Sequence, residues 1–320
     1  MNDLIDISSY PNNLSKTYEG ANGKKVCYII NGEDYMVKFP SDINRRSDLS
    51  YANNCISEYI GCHIFELAEI PVQKTFLAKY SGKDGKQKIV VACKDFTEPG
   101  EALLSFTGIK NQIIESSGSG RGTELSEILE TFSRQNIFDE NILVERFWDM
   151  FIVDSLIGNF DRHNGNWGYL RNTLTGNVKL APVYDCASSL FPQADEEQMK
   201  SVLSNPQELK LRIYERPLSA IKNNDKKLNY KEFINSLSNE DCNRSLKKIY
   251  PKLVPEKIHS IIDDINFISD IQKNFYKTIL DNRLSIILSQ SYKKLLKKEH
   301  NISKINNEKL TKADDYGYSR

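Results

Sequence analysis

The chain has 320 residues, of which 39% are hydrophobic and 27% are charged, and these proportions are those of a folded globular protein. Its 43 Lys and Arg residues balance its 43 Asp and Glu residues, so bulk electrostatic binding to nucleic acid or to an anionic membrane surface is not expected. The sequence has neither an apolar run long enough to span a membrane nor a signal peptide at Met1 to Tyr10, which predicts a cytoplasmic protein, or one secreted without a standard signal peptide.

The first hundred residues are rich in β-prone sequence. The runs Lys25 to Ile30 and Tyr35 to Phe39 flank Asn31-Gly32-Glu33-Asp34, and this tight-turn sequence predicts a β-hairpin. A helix is predicted over Ser50 to Ala68, because its apolar residues recur at helical spacing. Two further strands are predicted at Gln73 to Lys79 and Lys88 to Cys93.

The pattern changes after about residue 97, where helical periodicity replaces the β-prone runs. A polar loop is predicted at Ser116 to Thr123, a hairpin between Trp167 and Asp185, and a disordered tail at residues 303–320. Helices are predicted at 124–134, 141–157, 208–214, 230–237, 245–250, 256–265 and 270–298. We therefore predict an α+β fold with a small β-rich N-lobe (1–97) and a larger, mostly helical C-lobe (98–302), and we expect a ligand in the cleft between them.

The stretch Gly158 to Leu170, GNFDRHNGNWGYL, holds the densest group of polar residues suited to chemistry. It follows Phe147 to Ile157, a helix that is apolar on nearly every side and is expected to be buried. Asp161 and Asn166 lie five positions apart, which is the spacing between the catalytic base and the metal-binding Asn in the protein-kinase loop H-R-D-x-x-x-x-N. One short loop would thus place a carboxylate that accepts the proton of an attacking hydroxyl beside an amide oxygen that holds a divalent cation.

Another carboxylate is predicted to join this loop from the hairpin that follows it. Strands at Trp167 to Leu170 and Val178 to Tyr184 would fold Asp185 back beside Asn166. Asp185 would then occupy the place of the Asp in the kinase D-F-G segment. A carboxylate, an amide oxygen and phosphate oxygens form a ligand set that suits Mg²⁺.

Lys38 and Glu58 are predicted to form an ion pair. Lys38 lies in the apolar strand Tyr35 to Phe39, and Glu58 lies in a helix stripe that is otherwise apolar. A carboxylate in an apolar stripe needs a cationic partner, and a Lys–Glu pair between a strand and the next helix positions the phosphate-binding lysine of protein kinases. A solvent-facing Lys38 is the alternative.

The segment Gly20-Ala21-Asn22-Gly23 precedes the first predicted strand and is a candidate phosphate loop. Glycines let backbone N–H groups approach a phosphate closely. The segment is not a Walker loop, since G-x-x-x-x-G-K-[ST] is absent from the sequence. A simple turn is the alternative.

Together these segments resemble the HipA-like serine/threonine kinases, and most of all the short, stand-alone members of that family. The chief matches are N-F-D-R-H-N-G-N at Asn159 and P-V-Y-D at Pro182. Further matches are G-A-N-G-K at Gly20, V-K-F around Lys38, S-E-Y around Glu58 and V-V-A-C-K-D-F at Val90. The resemblance extends from about Glu19 to Leu288.

The resemblance implies a two-lobed protein-kinase-like fold that transfers the γ-phosphoryl group of ATP to Ser or Thr hydroxyls of a protein substrate. It gives Asp161 the role of catalytic base, with His163 orienting the loop, although a purely structural histidine is an equal alternative there. It makes Asn166 and Asp185 the ligands of Mg²⁺.

The same resemblance assigns the nucleotide contacts. Lys38 would contact the ATP phosphates, Glu58 would hold Lys38, and Gly20, Ala21, Asn22 and Gly23 would cover the phosphates. The interlobe hinge, whose backbone would meet adenine, would consist of Cys93, Lys94, Asp95 and Phe96.

The family also includes toxins that pair with an antitoxin, and some members phosphorylate themselves just ahead of the glycine loop. Ser15 and Thr17 lie near that place in this sequence, so an autophosphorylating toxin or secreted effector is expected. The chain is shorter at its N-terminus than the full-length toxins, so an antitoxin-type partner remains open and direct binding to operator DNA is not expected.

Three alternatives remain open on the sequence. The string D-R-H-N-G-N is also similar to the catalytic loop of phosphatidylinositol kinases, which would make the chain a phosphoinositide or small-molecule kinase with a basic rim, for which the cluster Lys293 to Lys298 is a candidate. A pseudokinase would bind nucleotide without chemistry. A metal-dependent hydrolase would use Asp161, His163 and Asp185 without ATP.

Overall fold

A four-stranded antiparallel sheet begins the fold in the computed structural model, which describes residues 4–18, 24–40, 53–82, 85–115 and 118–317. The strands are β1 (Lys25–Ile30), β2 (Glu33–Lys38), β3 (Thr75–Ser81) and β4 (Gln87–Lys94), in the order β1-β2-β4-β3. Helix α1 (Asn54–Leu67) connects β2 to β3 and packs on β3 and β4. The candidate phosphate loop, Gly20 to Gly23, lies outside the described residues.

The β1–β2 hairpin follows the prediction from its turn sequence. Asn31 has a φ of 53° and Gly32 a φ of 83°, and two central residues with positive φ form the tight turn that matches the twist of paired strands. The register places Lys25 opposite Lys38. Val37 belongs to the apolar cluster on one face of the sheet, so its neighbour Lys38 faces α1 on the other side.

The N-terminal segment covers both edges of this sheet, which the sequence analysis did not foresee. The Ile7 N–H donates to the Lys79 carbonyl of β3 at 2.9 Å, and the Asn13 N–H donates to the Cys27 carbonyl of β1 at 2.9 Å. Ile7 is buried in the same cluster as Val37. The backbone groups of both edge strands are thereby paired, at least in part, rather than left open.

A second, three-stranded antiparallel sheet lies beyond the first. Its strands are β5 (Glu101–Ser105), β6 (Gly168–Asn172) and β7 (Val178–Leu180), in the order β5-β6-β7. The β6–β7 hairpin follows the prediction, but β7 ends at Leu180 rather than at Tyr184. Pro182 has no N–H for a ladder, and Val183 instead pairs with the segment before β3, donating to the Pro71 carbonyl at 2.8 Å.

The rest of the chain is mostly helical. Its helices are α2 (Phe106–Ile113), α3 (Leu125–Arg134), α4 (Glu140–Ile157), α5 (Glu196–Ser204), α6 (Pro206–Tyr214), α7 (Tyr230–Ser236), α8 (Glu240–Ile249), α9 (Pro255–Asp263), α10 (Asp270–Arg283) and α11 (Gln290–Gly317). A π-helical segment, Leu284–Ser289, joins α10 to α11, and a small hairpin of β8 (Lys222–Asn223) and β9 (Lys226–Lys227) precedes α7. In the parts of the chain that the structure describes, no helix is both long and apolar enough to cross a membrane.

The last helix differs from the sequence prediction at its end. Disorder was expected over residues 303–320, whereas α11 continues to Gly317. Elongating an existing helix adds one hydrogen bond for each residue fixed, without a second nucleation cost. A polar sequence that could not start a helix can therefore extend one.

Helix α4 lies at the centre of the core, as its apolar sequence predicts. Twelve of its residues are buried, including the large side chains of Phe147, Trp148 and Phe151. Asp139 caps its start by accepting the Asn141 N–H. The helix ends at Gly158, whose φ of 66° is the left-handed conformation that favours glycine. The buried helix therefore delivers the chain that follows Gly158 from a rigid support.

All six cysteines are buried, and none of them forms a disulfide bond. Burial raises the pKa of Cys55 to about 12. The Cys55 thiol donates to the Lys38 carbonyl at 3.4 Å, and Cys186 directly follows Asp185 in the chain. Several of these thiols thus lie close to the residues singled out by the sequence analysis.

Candidate active site

The loop after α4 is anchored by Asn159, which is fully buried. Its amide nitrogen donates to Asp154 at 3.1 Å, and its amide oxygen accepts the Asp161 N–H at 3.0 Å. Its carbonyl accepts the Tyr230 hydroxyl at 2.6 Å. Asn159 therefore fixes the backbone of Asp161 relative to both α4 and α7.

A buried ion pair between Arg162 and Asp154 supports the same loop. Arg162 donates to both oxygens of Asp154, at 2.9 and 3.2 Å. Burial disfavours the charge of Arg162, but the Asp154 carboxylate outweighs it and holds the pKa of Arg162 well above its usual value. Arg162 also donates to the carbonyls of Asn166 and Tyr184. The Arg162 guanidinium is thus bonded to α4, to the loop that follows α4 and to the residue before Asp185.

No role was predicted for Arg162 or Asp154 from the sequence. A signal was present, since Asp154 is an acidic residue in a helix that is apolar on nearly every side. Such a carboxylate needs a buried cation, and the next arginine along the chain is Arg162.

We expect Arg162→Met to lower the free energy of unfolding by roughly 3–5 kcal/mol, because it leaves the buried Asp154 carboxylate without its cation. Urea denaturation followed by circular dichroism measures the loss. Arg134→Met is the matched control: Arg134 pairs with Glu130 on the surface, where the side chains are 56% and 50% exposed, and such a pair contributes less than about 1 kcal/mol. Equal losses in the two variants would contradict the structural role of Arg162.

The structure brings Lys38, Glu58 and Asp185 together. The Lys38 Nζ lies 3.0 Å from Glu58 Oε1 and 3.0 Å from Asp185 Oδ1. Lys38 is 7% exposed and Glu58 is fully buried. One ammonium group is therefore shared by a carboxylate from α1 and a carboxylate that follows the β6–β7 hairpin.

The charges of this cluster stabilise one another. Burial alone would raise the pKa of Asp185, but the ammonium of Lys38 outweighs it and lowers that pKa to about 2. Burial works against the charge of Lys38, yet Asp185 and Glu58 hold its pKa well above the usual lysine value. Burial raises the pKa of Glu58, and Lys38 offsets part of that rise. Lys38 and Asp185 are thus ionised at neutral pH.

Asp185 also has an unusual backbone. Its φ is 61°, which places a residue with a Cβ in the left-handed region at a cost of about 1–2 kcal/mol. The bond from Arg162 to the carbonyl of Tyr184 holds the preceding peptide group. Such conformations cluster at ligand sites, where the surrounding structure fixes them.

Asp161 and Asn166 lie in one tightly bonded loop. The Asn166 amide nitrogen donates to the Asp161 carbonyl at 2.8 Å, which leaves the amide oxygen as the atom that can bind a cation. The N–H groups of His163 and Asn166 donate to the carbonyls of Asp161 and His163, at 2.8 and 2.9 Å. An amide oxygen here and the carboxylate of Asp185 are hard ligands of the kind that Mg²⁺ takes.

His163 faces the Asp161 carboxylate. Its Nδ1 accepts the Gly165 N–H at 3.0 Å, and its Nε2 lies 3.9 Å from Asp161 Oδ1. Both side chains are partly exposed, at 45% and 39%. Burial raises the pKa of Asp161, and the electrostatic influence of the nearby His163 ring offsets part of that rise. The carboxylate that was predicted to act as a base is thus open to a substrate.

The predicted hinge, Cys93 to Phe96, connects the end of β4 to the second sheet. The N–H groups of Lys94 and Asp95 already donate to the carbonyls of Lys74 and Asp34, at 2.8 and 2.9 Å. The Phe96 ring lies 5.9 Å from that of Tyr184, next to Asp185. These two N–H groups are therefore already paired within the protein.

Lys25, for which no role was predicted, lies near the cluster around Lys38. It lies opposite Lys38 in the β1–β2 register. Burial and the neighbouring charge of Lys38 lower the pKa of Lys25, while Asp185 acts in the opposite sense. Its closeness to both residues follows from the strand pairing, which places a second lysine beside the first.

The described residues contain no cluster of three or more His, Cys, Asp or Glu side chains arranged to hold a metal ion. A hydrolase site that holds its metal with Asp161, His163 and Asp185 is therefore not favoured. The pair Asn166 and Asp185 stays compatible with a cation that takes its other ligands from phosphates and water.

The chain is similar to known proteins over most of its length. The model of the family described as HipA-like C-terminal domain matches residues 17–266. Serine/threonine-protein kinase CtkA of Helicobacter pylori strain J99 is 43% identical over 312 residues, which cover 97% of this chain and 94% of CtkA.

Solved structures show the same relationship. The crystal structure of the H. pylori proinflammatory kinase CtkA matches with a TM-score of 0.85 and 43% identity, covering 92% of this chain and 99% of CtkA. HipA of Shewanella oneidensis MR-1, solved with HipB and operator DNA, matches with a TM-score of 0.52 and 11% identity, covering 86% of this chain and 67% of HipA. The HipA likeness concerns the fold alone. The predicted protein-kinase-like fold is confirmed.

Proposed function

The chain belongs to the family of HipA-like C-terminal domains, and from this membership we propose that it is a serine/threonine-protein kinase that uses ATP and Mg²⁺. The observation that carries the proposal is the sharing of Lys38 between Glu58 and Asp185. A strand lysine held by a helix carboxylate, beside an aspartate after a hairpin, is the arrangement that binds Mg·ATP in protein kinases.

We propose the boundaries of two lobes around this arrangement. Residues 1–97 would form the N-lobe, with the first sheet and α1, and residues 98–302 would form the C-lobe. The cluster of Lys38, Glu58 and Asp185 joins residues of both lobes, and the Asp161 loop belongs to the C-lobe. The nucleotide would lie between them.

Asp161 is proposed to accept the proton of the Ser or Thr hydroxyl as its oxygen attacks the γ-phosphorus, while the bond from that phosphorus to the β–γ bridging oxygen breaks. The ADP leaving group keeps the electron pair of the broken bond. Mg²⁺, when bound, neutralises charge on the phosphate oxygens. Lys38 is proposed to hold the phosphates, and Asn166 and Asp185 are proposed to hold the cation.

His163 is proposed to position the loop rather than to transfer a proton. Its Nδ1 accepts the Gly165 N–H, which fixes the ring within the turn that carries Asn166. Gly165 is held from the other side by the Tyr184 hydroxyl, which donates to its carbonyl at 3.1 Å. Gly165, which lies between Asp161 and Asn166 in the chain, is therefore held by both His163 and the residue that precedes Asp185.

Autophosphorylation is proposed for the segment ahead of the glycine loop. Ser15 is exposed and its hydroxyl donates to Asn13 at 2.6 Å. The nearby Tyr18 hydroxyl donates to Asp95 of the hinge at 2.9 Å, so this segment lies against the proposed nucleotide site. Ser15 and Thr17 are the acceptors that we propose. The partners HipB and operator DNA of the distant relative are not carried over to this chain.

The wild-type chain is expected to transfer label from radioactive ATP to Ser and Thr of lysate proteins when Mg²⁺ is present. Phosphosite mass spectrometry after reaction with lysate identifies the acceptor residues. Chelation of Mg²⁺ is expected to abolish their phosphorylation. Phosphoinositide vesicles in a parallel reaction should stay unlabelled. Labelled lipid without labelled protein would favour a lipid kinase, and nucleotide binding without any labelling would favour a pseudokinase.

A further inference from the structure

The β8–β9 hairpin lies beside the proposed catalytic loop and has no part in the proposed phosphoryl transfer. Asn224 and Asp225 form its turn, with φ values of 52° and 61°, and positive φ at both central residues is typical of a tight two-residue hairpin. The ladder pairs Lys222 with Lys227. The hairpin is thus a defined element rather than an irregular loop.

The turn of the hairpin is held by the segment that precedes α3. The Glu124 carboxylate accepts the N–H groups of Asn224 and Asp225, at 2.7 and 3.1 Å. The Thr123 carbonyl accepts the Lys222 N–H at 2.9 Å. These bonds to the turn and to its first strand fix the direction of the hairpin.

The same assembly is bonded to the catalytic loop from two sides. The buried amide of Asn164 donates to the carbonyls of Gly120 and Gly122, at 3.0 and 2.7 Å. Tyr230, three residues after Lys227, donates to the carbonyl of Asn159, two residues before Asp161. The hairpin therefore keeps a fixed place next to the proposed base.

The hairpin presents positive charge at this place. It holds three lysines, Lys222, Lys226 and Lys227, and one acid, Asp225, which gives a net charge of 3 − 1 = +2. Lys226 and Lys227 are exposed, and neither forms an ion pair with any residue that the structure describes. Lys227 is close enough for its charge to act on the Asp161 carboxylate.

An acceptor hydroxyl must reach Asp161 for phosphoryl transfer to occur. An extended peptide advances about 3.3–3.6 Å for each residue, so side chains within roughly three residues of the acceptor lie within about 10 Å of it. This is the distance over which exposed charges interact at moderate salt. The ammonium groups of the hairpin are therefore placed to interact with the residues that flank an acceptor.

We propose that Lys227, together with Lys226, selects protein substrates that carry an anionic side chain within about three residues of the acceptor Ser or Thr. The anion can be a carboxylate or a phosphate, since both accept charge-assisted hydrogen bonds from lysine. The inference rests on the proposed kinase function and names the substrate class of that site.

The test uses peptides with one acceptor Ser and flanks that are neutral, contain Glu, contain phosphoserine or contain Lys. The wild type is expected to show a kcat/KM about threefold to tenfold higher for the Glu or phosphoserine peptides than for the neutral one. The preference should shrink as salt is raised. The ratio between the Glu and phosphoserine peptides distinguishes a carboxylate from a phosphate as the preferred anion.

Lys227→Glu is expected to reverse the preference, so that the Lys peptide becomes the better substrate, while the KM for ATP changes less than about twofold. Lys298→Glu is the matched control, because Lys298 is also an exposed lysine, on α11, and it should keep the wild-type preference. Both changes lie on the surface and leave the core intact.

A wild type that phosphorylates all four peptides equally would overturn the proposal. So would a Lys227→Glu variant that raises the KM for ATP and slows all peptides alike, because the lysine would then serve the nucleotide. If the wild type labels no peptide and no lysate protein, the kinase function itself fails, and this inference fails with it.

Discussion

Asp161→Asn is expected to reduce kcat for peptide phosphorylation by at least about a hundredfold, because the amide cannot accept the proton of the attacking hydroxyl. The change keeps the shape of the side chain and leaves the Asp161 backbone, to which Asn159 and Asn166 are bonded. The Kd for Mg·ATP should therefore change less than about threefold. Steady-state kinetics and isothermal titration calorimetry measure the two quantities.

Asp264→Asn is a suitable control, since Asp264 is an exposed aspartate at the end of α9 and is expected to keep full activity. Retained activity in Asp161→Asn would show that another group takes the proton, or that the reaction does not need a base. Lost nucleotide binding in that variant would assign Asp161 to the metal site instead.

Asp185→Asn is expected to weaken Mg·ATP binding by at least about tenfold and to lower kcat/KM by at least about a hundredfold. In this variant the Mg²⁺ ion would lose a charged ligand, and Lys38 would lose one of its two carboxylate partners. The fold should survive, because Lys38 keeps its contact of 3.0 Å with Glu58. Calorimetric titrations of ATP at several Mg²⁺ concentrations measure the effect.

The contrast between the two variants is the decisive result. Asp161→Asn should lose chemistry and keep binding, whereas Asp185→Asn should lose both. A thermal unfolding scan of each variant separates a local effect from loss of the fold. Equal Mg·ATP affinity in wild type and Asp185→Asn would remove Asp185 from the metal site.

Features that depend on residues close together in the chain could be predicted from the sequence. The distance between Asp161 and Asn166 along the chain nearly determines their distance in space, since one loop carries both. Glu58 in an apolar helix stripe required a cation, and the strand before it offered Lys38. The turn at Asn31 and Gly32 has a conformation that few residues adopt, so the hairpin could be predicted, although its second strand begins at Glu33 rather than at the predicted Tyr35.

The sequence was uninformative where distant segments pair. The composition of strand β5 does not distinguish it as a strand, and it forms because it pairs with β6. Gly168 of β6 has no side chain, so the Leu104 carbonyl of β5 can lie close to its backbone. The N-terminal segment is bonded to both edges of the first sheet, and at the β3 edge the bonded residues, Ile7 and Lys79, are more than seventy positions apart in the chain. Such pairings depend on the assembled surface rather than on any periodicity in the chain.

Similar reasoning applies to Lys25 and to the β8–β9 hairpin. Lys25 lies beside Lys38 because the two residues are opposite each other in the β1–β2 pairing, and this register is known only once the strands are paired. The hairpin has two-residue strands, too short for an alternating pattern to be recognised. Only its turn residues, Asn224 and Asp225, could have indicated a hairpin from the sequence, because Asn and Asp tolerate the positive φ that such turns require.

The buried thiols have a practical consequence for following motion in solution. Cys55 and Cys186 lie against Lys38 and Arg162, whereas Cys242 lies in α8. A reagent that alkylates thiols can modify such groups only when their surroundings open, so the labelling rate at each cysteine reports the free energy of local opening. Slower labelling of Cys55 and Cys186, but not of Cys242, upon addition of nucleotide would map where the ligand closes the molecule.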